Sequence, residues 1–409
     1  AAGGGGAAGG GGAAGGGAAG GGGGGGGGRG GASGPGTRTG IDDKNKVIKI
    51  ALHGPLTGAG VPQESFRTGT PKYWNEGPGG QPRRLANGYR VEATAIDDKY
   101  NAPDAARACG AAADQYFLVV GGAGTDQIQS CAQQPKIQRG TVPYLSSGVT
   151  EAGLGNLRNY FATSLTYRQQ GPLVVRMAQD NRFFNNAQGR PVQWAVVATE
   201  GPNFQDAVDG VVGALRQAGA PHKIVRIPKT GNSCNKAQEI KANPRPDVIY
   251  FLGQPSYFAF CVRELVDPTY SPTFTGVGPS FGINSVANLA CTAATSAGGR
   301  YNAFFLHPAT GLDQAGRRAP GVQFRDDIEY QIYGAMAGLE HAFNLVEGEL
   351  TREKFIAALA AADIPEKISP AAVYRGGSRF GGTKAFALRA QCGGTPQSNV
   401  MVTVGEYGK

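Results

Sequence analysis

The segment Tyr116–Asp126, YFLVVGGAGTD, decides the architecture. An unbroken apolar run, Tyr116–Val120, passes directly into a glycine-rich turn that ends on a hydroxyl, Thr125. An apolar run without alternation marks a strand buried on both faces, as in a parallel sheet. Parallel strands need helical crossovers, and residues of about 126–138 supply one. The same unit recurs outward in both directions. Lys46–Leu52, Arg90–Ile96, Val142–Ser146, Val192–Ala198, Lys223–Ile227, Asp247–Leu252 and Thr273–Val277 read as strands. Helices are expected at about 64–76, Asp104–Gln115, Gly171–Asp180, Phe204–Ala218, Asn235–Ala242 and 256–266. This alternation predicts an α/β protein built from βαβ units. The units are too many for a single small sheet, which leaves two doubly wound lobes or one barrel. Within 321–347, Ile328, Ile332, Met336, Leu339, Phe343 and Val346 step by three or four and form one buried face of a long helix. After 369 the glycine pairs and the runs Phe386–Leu388 and Val400–Val404 predict short antiparallel strands.

Composition narrows the function. Of the 409 residues, the first 40 hold 25 of the 68 glycines and little beyond alanine to bury, so 1–40 reads as a flexible tether. The remainder suits two domains. Lys+Arg number 39 against 30 Asp+Glu, a net charge of +9. These charges are scattered, with Arg83-Arg84 and Arg317-Arg318 isolated, so a solvated basic surface is expected and no nucleic-acid partner. No apolar run is long enough to span a membrane, and no signal-peptide pattern is visible from Ala1 onward. His53, His222, His307 and His341 show no metal-binding spacing, and the cysteines form no C-x-x-C, so no metal is expected. The six cysteines, Cys109, Cys131, Cys234, Cys261, Cys291 and Cys392, fit three disulfides in an oxidising compartment or six buried thiols. About 15 pairings are possible.

Several strings, in order, resemble the leucine/isoleucine/valine-type substrate-binding proteins of ABC importers, a type I periplasmic-binding-protein family. They are IKIALHGPLTGAG from Ile48, GYRVEATAIDDKYNAPDAARA from Gly88, FLVVGGAGTDQIQSCA from Phe117, VPYLSSGVT from Val142 and YFATSLTYRQQGPLVV from Tyr160. Weaker likeness continues through WAVVATEGPNFQDAV, DVIYFLGQPSYFAFCVREL and TFTGVGPSFG, so that it covers roughly 45–350. The resemblance implies two Rossmann-like, doubly wound lobes joined by three crossovers, with the ligand in the cleft between them. It places 41–166 plus 310–367 in one lobe and 167–309 plus 368–409 in the other. It also implies the pairs Cys109–Cys131, Cys234–Cys261 and Cys291–Cys392, each within one lobe, which leaves the hinge free. The implied function is extracytoplasmic binding of a small molecule and its delivery to a membrane permease, as a monomer and without catalysis. An anchor to lipid or the cell surface would run through the tether.

Candidate binding loops lie at carboxyl ends of parallel strands. Gly121–Asp126 exposes backbone N–H groups and the Thr125 hydroxyl at a helix start, which suits a carboxylate. It fails as a dinucleotide motif because residue 127 is Gln, so no cofactor is expected. The loop 146–150 adds Gly148, Val149 and Thr150. Plain turn chemistry would also explain both loops. The resemblance adds Tyr167, Phe204, Gln254 and Gly278 as contacts. In amino-acid-binding relatives an acid meets the ligand ammonium, whereas the matching positions here are Tyr167 and roughly Gly278. A small carboxylate or a neutral, partly aromatic solute is therefore expected. Amino acids remain the alternative, through backbone carbonyls, Glu64 or Glu200. Two other functions compete. A receptor's extracellular sensing domain shares the fold. Gly278-Pro279-Ser280-Phe281-Gly282 fits the nucleophile pattern G-x-S-x-G, with His307, His341, Asp313, Asp326 and Asp327 downstream. Proline before the serine suits a strained elbow poorly.

Overall fold

The computed structural model describes residues 37–77, 80–139, 141–182, 190–279, 281–393, 395 and 398–409. The tether expected at 1–40 lies outside these up to residue 36. Its last four residues belong to the fold, which corrects the expectation. Arg38 pairs with Asp43 and Glu349, Arg352 N–H donates to Thr37 O, and Gly40 packs against the backbone of Tyr116 and Phe117.

The first sheet grows from β1 (Ile41–Asp42), β2 (Val47–Gly54), α1 (Glu64–Asn75), β3 (Arg90–Asp97), α2 (Ala102–Ala112), β4 (Leu118–Gly121), α3 (Thr125–Ala132), α4 (Pro135–Arg139), β5 (Tyr144–Ser146) and β6 (Tyr160–Ala162). Its parallel order is β3-β2-β4-β5-β6, with β1 antiparallel on the start of β2. The helix expected at 126–138 is two helices, divided just before Pro135, which cannot continue the amide ladder.

The second sheet follows with α5 (Tyr167–Asp180), β7 (Trp194–Thr199), α6 (Gln205–Gln217), β8 (His222–Ile227), α7 (Ala237–Lys241), β9 (Val248–Leu252), α8 (Pro255–Leu265), β10 (Thr273–Val277), α9 (Asn284–Ser296) and β11 (Asn302–His307). Its parallel order is β8-β7-β9-β10-β11. Then come α10 (Ala315–Arg318), α11 (Asp327–Asn344), α12 (Arg352–Ala360), β12 (Asp363–Ile364), β13 (Ala372–Val373), β14 (Lys384–Gln391) and β15 (Val400–Gly408). The last two extend the second sheet antiparallel beyond β11.

Both sheets repeat one doubly wound order, so each reverses direction beside its first strand. Every residue of β7 (WAVVAT) and β9 (VIYFL) is buried, as their unbroken apolar runs require. Helices cover the faces: α1 packs on α11 and α2 on α3, while α5 packs on α6 and α8 on α9. The amphipathic stretch from 321 becomes helical only at Asp327, because Asp326 caps it, its carboxylate accepting from Glu329 N–H at 2.9 Å.

The chain passes between the sheets three times, after β6, after β11 and before β14. The third passage falls near Gly382, whereas the sequence reading placed it at 368. Residues 368–381 stay with the first sheet: Ala162 N–H donates to Arg379 O at 2.8 Å, and Tyr374 O–H donates to Ala162 O at 3.0 Å. A side chain at Gly382 would overlap the Ser164–Leu165 backbone, so two passages touch there directly. The disulfides join Cys109 to Cys131, Cys234 to Cys261 and Cys291 to Cys392, with Cα separations of 5.5, 4.7 and 5.6 Å. Among the described residues no cysteine is free, and no helix is long and apolar enough to cross a membrane.

Candidate functional site

The carboxyl ends of the two sheets face one cavity of about 340 Å³. From the first sheet come Tyr100 after β3, Gly124–Ile128 after β4, and Ser147 and Val149 after β5. From the second come Thr199 at the end of β7, Lys229 and Thr230 after β8, Gly253 and Gln254 after β9, Val277 at the end of β10 and Pro279 beyond it. This is where open α/β sheets hold ligands.

Two helix N-termini meet here. Gly124 has φ of 84°, which a glycine adopts without strain, and it turns the chain into α3. The first intrahelical bond of α3 is made by Ile128 N–H to Gly124 O, so the amides of Thr125, Asp126 and Gln127 stand at the cavity as first-turn donors. Across the cavity, Gln254 precedes α8, which begins with Pro255. Both ends carry partial positive charge and favour an anion.

The structure brings Thr125, Val149, Tyr167, Phe204 and Gln254 together in the lining. Thr125 Oγ1 and Tyr167 O–H share a hydrogen bond at 3.0 Å, and burial holds the Tyr167 phenol well above its ordinary pKa, so it stays neutral. Gly148, Thr150 and Gly278 are not in the lining. Gly148 N–H donates to Ser164 Oγ at 2.8 Å, so the expected backbone donor is already used. Thr150 is fully buried and its hydroxyl accepts from Ala152 N–H at 3.0 Å. Gly278, at φ of 89°, sits beneath the Tyr167 ring. Its missing side chain makes room for that ring. Neither Glu64 nor Glu200 lines the cavity.

Charged residues that sequence reasoning missed also face the site. Asp126 pairs with Lys229 and accepts from Asn203 Nδ2 at 2.6 Å, joining α3 to the second sheet's loops. The strand-end rule applied to β8 would have singled out Lys229. Two further contacts cross between the sheets. Glu151 N–H donates to Asp206 at 2.6 Å, and burial raises the pKa of that carboxyl. Asn284 N–H on α9 donates to Asp327 on α11 at 2.5 Å.

Asp327 and His307 give the fold opposing pH responses. Burial raises the Asp327 carboxyl from its ordinary 3.8 to about 7, so the folded chain takes up a proton that the unfolded chain refuses, and stability gains as pH falls from 7 toward 4. Burial lowers His307 from 6.5 to about 4, so there the unfolded chain takes up the proton first and stability is lost over the same window. Asp327→Asn removes the first response and leaves the second. Its stability relative to wild type should fall by roughly 3 kcal/mol between pH 7 and 4.5, read by urea denaturation. Parallel pH profiles for the two proteins would contradict this.

The competing serine motif finds no support at its histidine. His307 Nδ1 lies 2.8 Å from Ala309 O and Nε2 lies 3.4 Å from Pro279 O, so carbonyls rather than a carboxylate face its ring. Ser280 itself lies outside the described residues. One group of potential metal-ligating atoms occurs among the described residues, His53 with Cys109 and Cys131, and its sulfurs are already bonded to each other.

The chain is similar in structure to a fatty acid ABC transporter substrate-binding protein from Thermomonospora curvata, with 16% identity, 91% of this chain and 95% of that one covered, and a TM-score of 0.70. It is similar to a leucine-binding protein from Thermotoga maritima, with 15% identity, 88% and 99% covered, and a TM-score of 0.68. A third similar structure is an ABC transporter solute-binding protein from Rhodopseudomonas palustris in complex with 3,4-dihydroxybenzoic acid, with 15% identity, 89% and 98% covered, and a TM-score of 0.67. At such identities the likeness is one of fold. No curated protein sequence matches the chain. The profile of the periplasmic binding proteins matches residues 48–393, a span that takes in every parallel strand but the first residue of β2 and every loop around the cavity, and the chain belongs to that family, whose members are extracytoplasmic solute-binding proteins.

Proposed function

We propose that the chain is the solute receptor of an ABC importer and that its lobes close on a small carboxylate. The observation that carries this reading is the convergence of two helix N-termini and Lys229 on one cavity of about 340 Å³. Amides of the first turn of α3 and the hydroxyl of Thr125 bind the carboxylate, and Lys229 offsets the charge of Asp126 beside them. Tyr167, Phe204 and Val149 cover the apolar body of the solute, and Gln254 offers a neutral hydrogen-bonding group. Similar proteins solved with 3,4-dihydroxybenzoate and benzoate, and one named for fatty acids, support a carboxylate. One lobe comprises 41–166 with 310–381, the other 167–309 with 382–409. The receptor acts as a monomer, docks on a membrane permease when closed, and is tethered to the cell surface through its glycine-rich N-terminal segment.

Asp126 favours a second reading. It is an acid in the lining and could meet an ammonium group, as a branched-chain amino acid requires. Lys229 and Asn203 already occupy it, so an ammonium would have to displace a cation. Isothermal titration with benzoate, 4-hydroxybenzoate, octanoate and leucine separates the two. A carboxylate without an ammonium is expected to bind at micromolar Kd, and Thr125→Val to weaken it about tenfold, or about 1.4 kcal/mol. Micromolar leucine binding, with none by the other three, would overturn the carboxylate reading.

A further inference from the structure

Between β3 and α2 the chain turns through two consecutive left-handed residues, Lys99 and Tyr100, each with φ of 52°. Residues with a Cβ seldom adopt that conformation, and a bulky one there marks strain or constraint. The turn is fixed from several sides. Asp97 accepts from Lys99 N–H at 2.9 Å and from the Thr57 hydroxyl at 2.6 Å, and Asp98 accepts from Tyr100 N–H at 2.9 Å. Asp98 is fully buried, and its other oxygen lies 2.9 Å from His53 Nδ1. Gly58 packs so closely on Lys99 O that a side chain there would overlap it. Strain held in this way gathers at ligand clamps and switch regions.

What the turn presents to the cleft is Tyr100, which is half-buried and lines the cavity. Its ring edge borders the turn into α3, since a Cβ built on Gly124 would stand 3.2 Å from Tyr100 Cε2. The phenol also lies within electrostatic reach of Tyr167, whose hydroxyl bonds that of Thr125. Among the described residues the Tyr100 hydroxyl makes no hydrogen bond, and it is not sealed in the interior. Burial, with Asp126 and Asp98 nearby, pushes its pKa up to about 12, so the hydroxyl keeps its proton and remains a donor.

We propose that Tyr100 is a specificity-determining residue of the cleft. Its hydroxyl donates to the carboxylate of the solute, beside Thr125 and the first-turn amides of α3, and the left-handed turn aims it there. This rests on the carboxylate reading above and adds a donor from the connection between β3 and α2. A hydroxyl without a partner in the folded chain contributes little to stability, whereas a donor taken from a carboxylate in a closed cleft weakens binding about tenfold or more. Affinity and stability should therefore respond differently to its loss.

The test is titration of the full chain and of Tyr100→Phe with benzoate, 4-hydroxybenzoate and octanoate, beside thermal melts of both proteins. Tyr100→Phe should melt within about 2 °C of wild type. It should bind every carboxylate that wild type binds about tenfold more weakly, by a common factor, because the contact is to the shared head group. A loss confined to 4-hydroxybenzoate would place Tyr100 at the far end of the solute and overturn the assignment. Unchanged affinities, or a melting point lowered by many degrees, would overturn it as well and leave the carboxylate reading standing. Failure of all three to bind wild type would overturn both.

Discussion

Oxidised Gly60→Cys/Ser256→Cys protein should trap its ligand, with exchange slowed about a hundredfold or more. A Cβ built on Gly60 lies 3.6 Å from Ser256 Cβ, within the roughly 3.5–4.5 Å that disulfides span. Gly60 follows β2 in the first lobe and Ser256 stands in the first turn of α8 in the second, so the new bond would staple the mouth of the cleft. The described native cysteines are all paired, which removes competing thiols. Oxidation with a bound carboxylate should hold it in, oxidation without one should keep it out, and reductant should restore fast exchange. Stopped-flow displacement reads all three states. Exchange at the wild-type rate in the oxidised protein would mean that the lobes need not part.

The second large effect is on stability. The three native disulfides close loops of 22, 27 and 101 residues. Loops of that size contribute roughly 3–5 kcal/mol each by constraining the unfolded chain. Together that matches the whole stability of a typical fold, about 5–15 kcal/mol. Full reduction should therefore unfold the chain near room temperature or leave it melting tens of degrees lower, read by circular dichroism with and without dithiothreitol. A reduced chain that melts within a few degrees of the oxidised one would show that packing alone suffices. Each bridge joins elements of a single sheet's layer, α2 to α3, the α7 region to α8, and α9 to the end of β14. Cleft motion is therefore left unconstrained.

The strands that decide the fold were legible because burial on both faces leaves an uninterrupted apolar run, as in Val248–Leu252. The three-residue β6 carried no such signal, and β11, whose first residue is exposed Asn302, reads ambiguously. At the site, the rule that ligands gather at strand ends points to loops that line the cavity. It could not tell which atoms of a loop face outward. Gly148 and Thr150 look like donors in sequence, yet Gly148 N–H is used by Ser164, on the passage after β6, and the Thr150 hydroxyl accepts from Ala152 N–H within its own loop. Gly278 reads as a contact in sequence, whereas in the structure it lies beneath the Tyr167 ring and outside the cavity lining. Asp126 and Lys229 carry no joint signal in sequence because they are 103 residues apart and only the folded chain pairs them.

In the proposed complex one solute is held at once by the first turn of α3 and by the loop leading into α8. Hydrogen exchange followed by mass spectrometry, with and without the tightest carboxylate of the titration panel, measures this directly. Concerted protection of the amides in 122–128 and in 253–258, at one ligand concentration, is the predicted result. Protection confined to one of the two segments, or found only elsewhere in the chain, would contradict it.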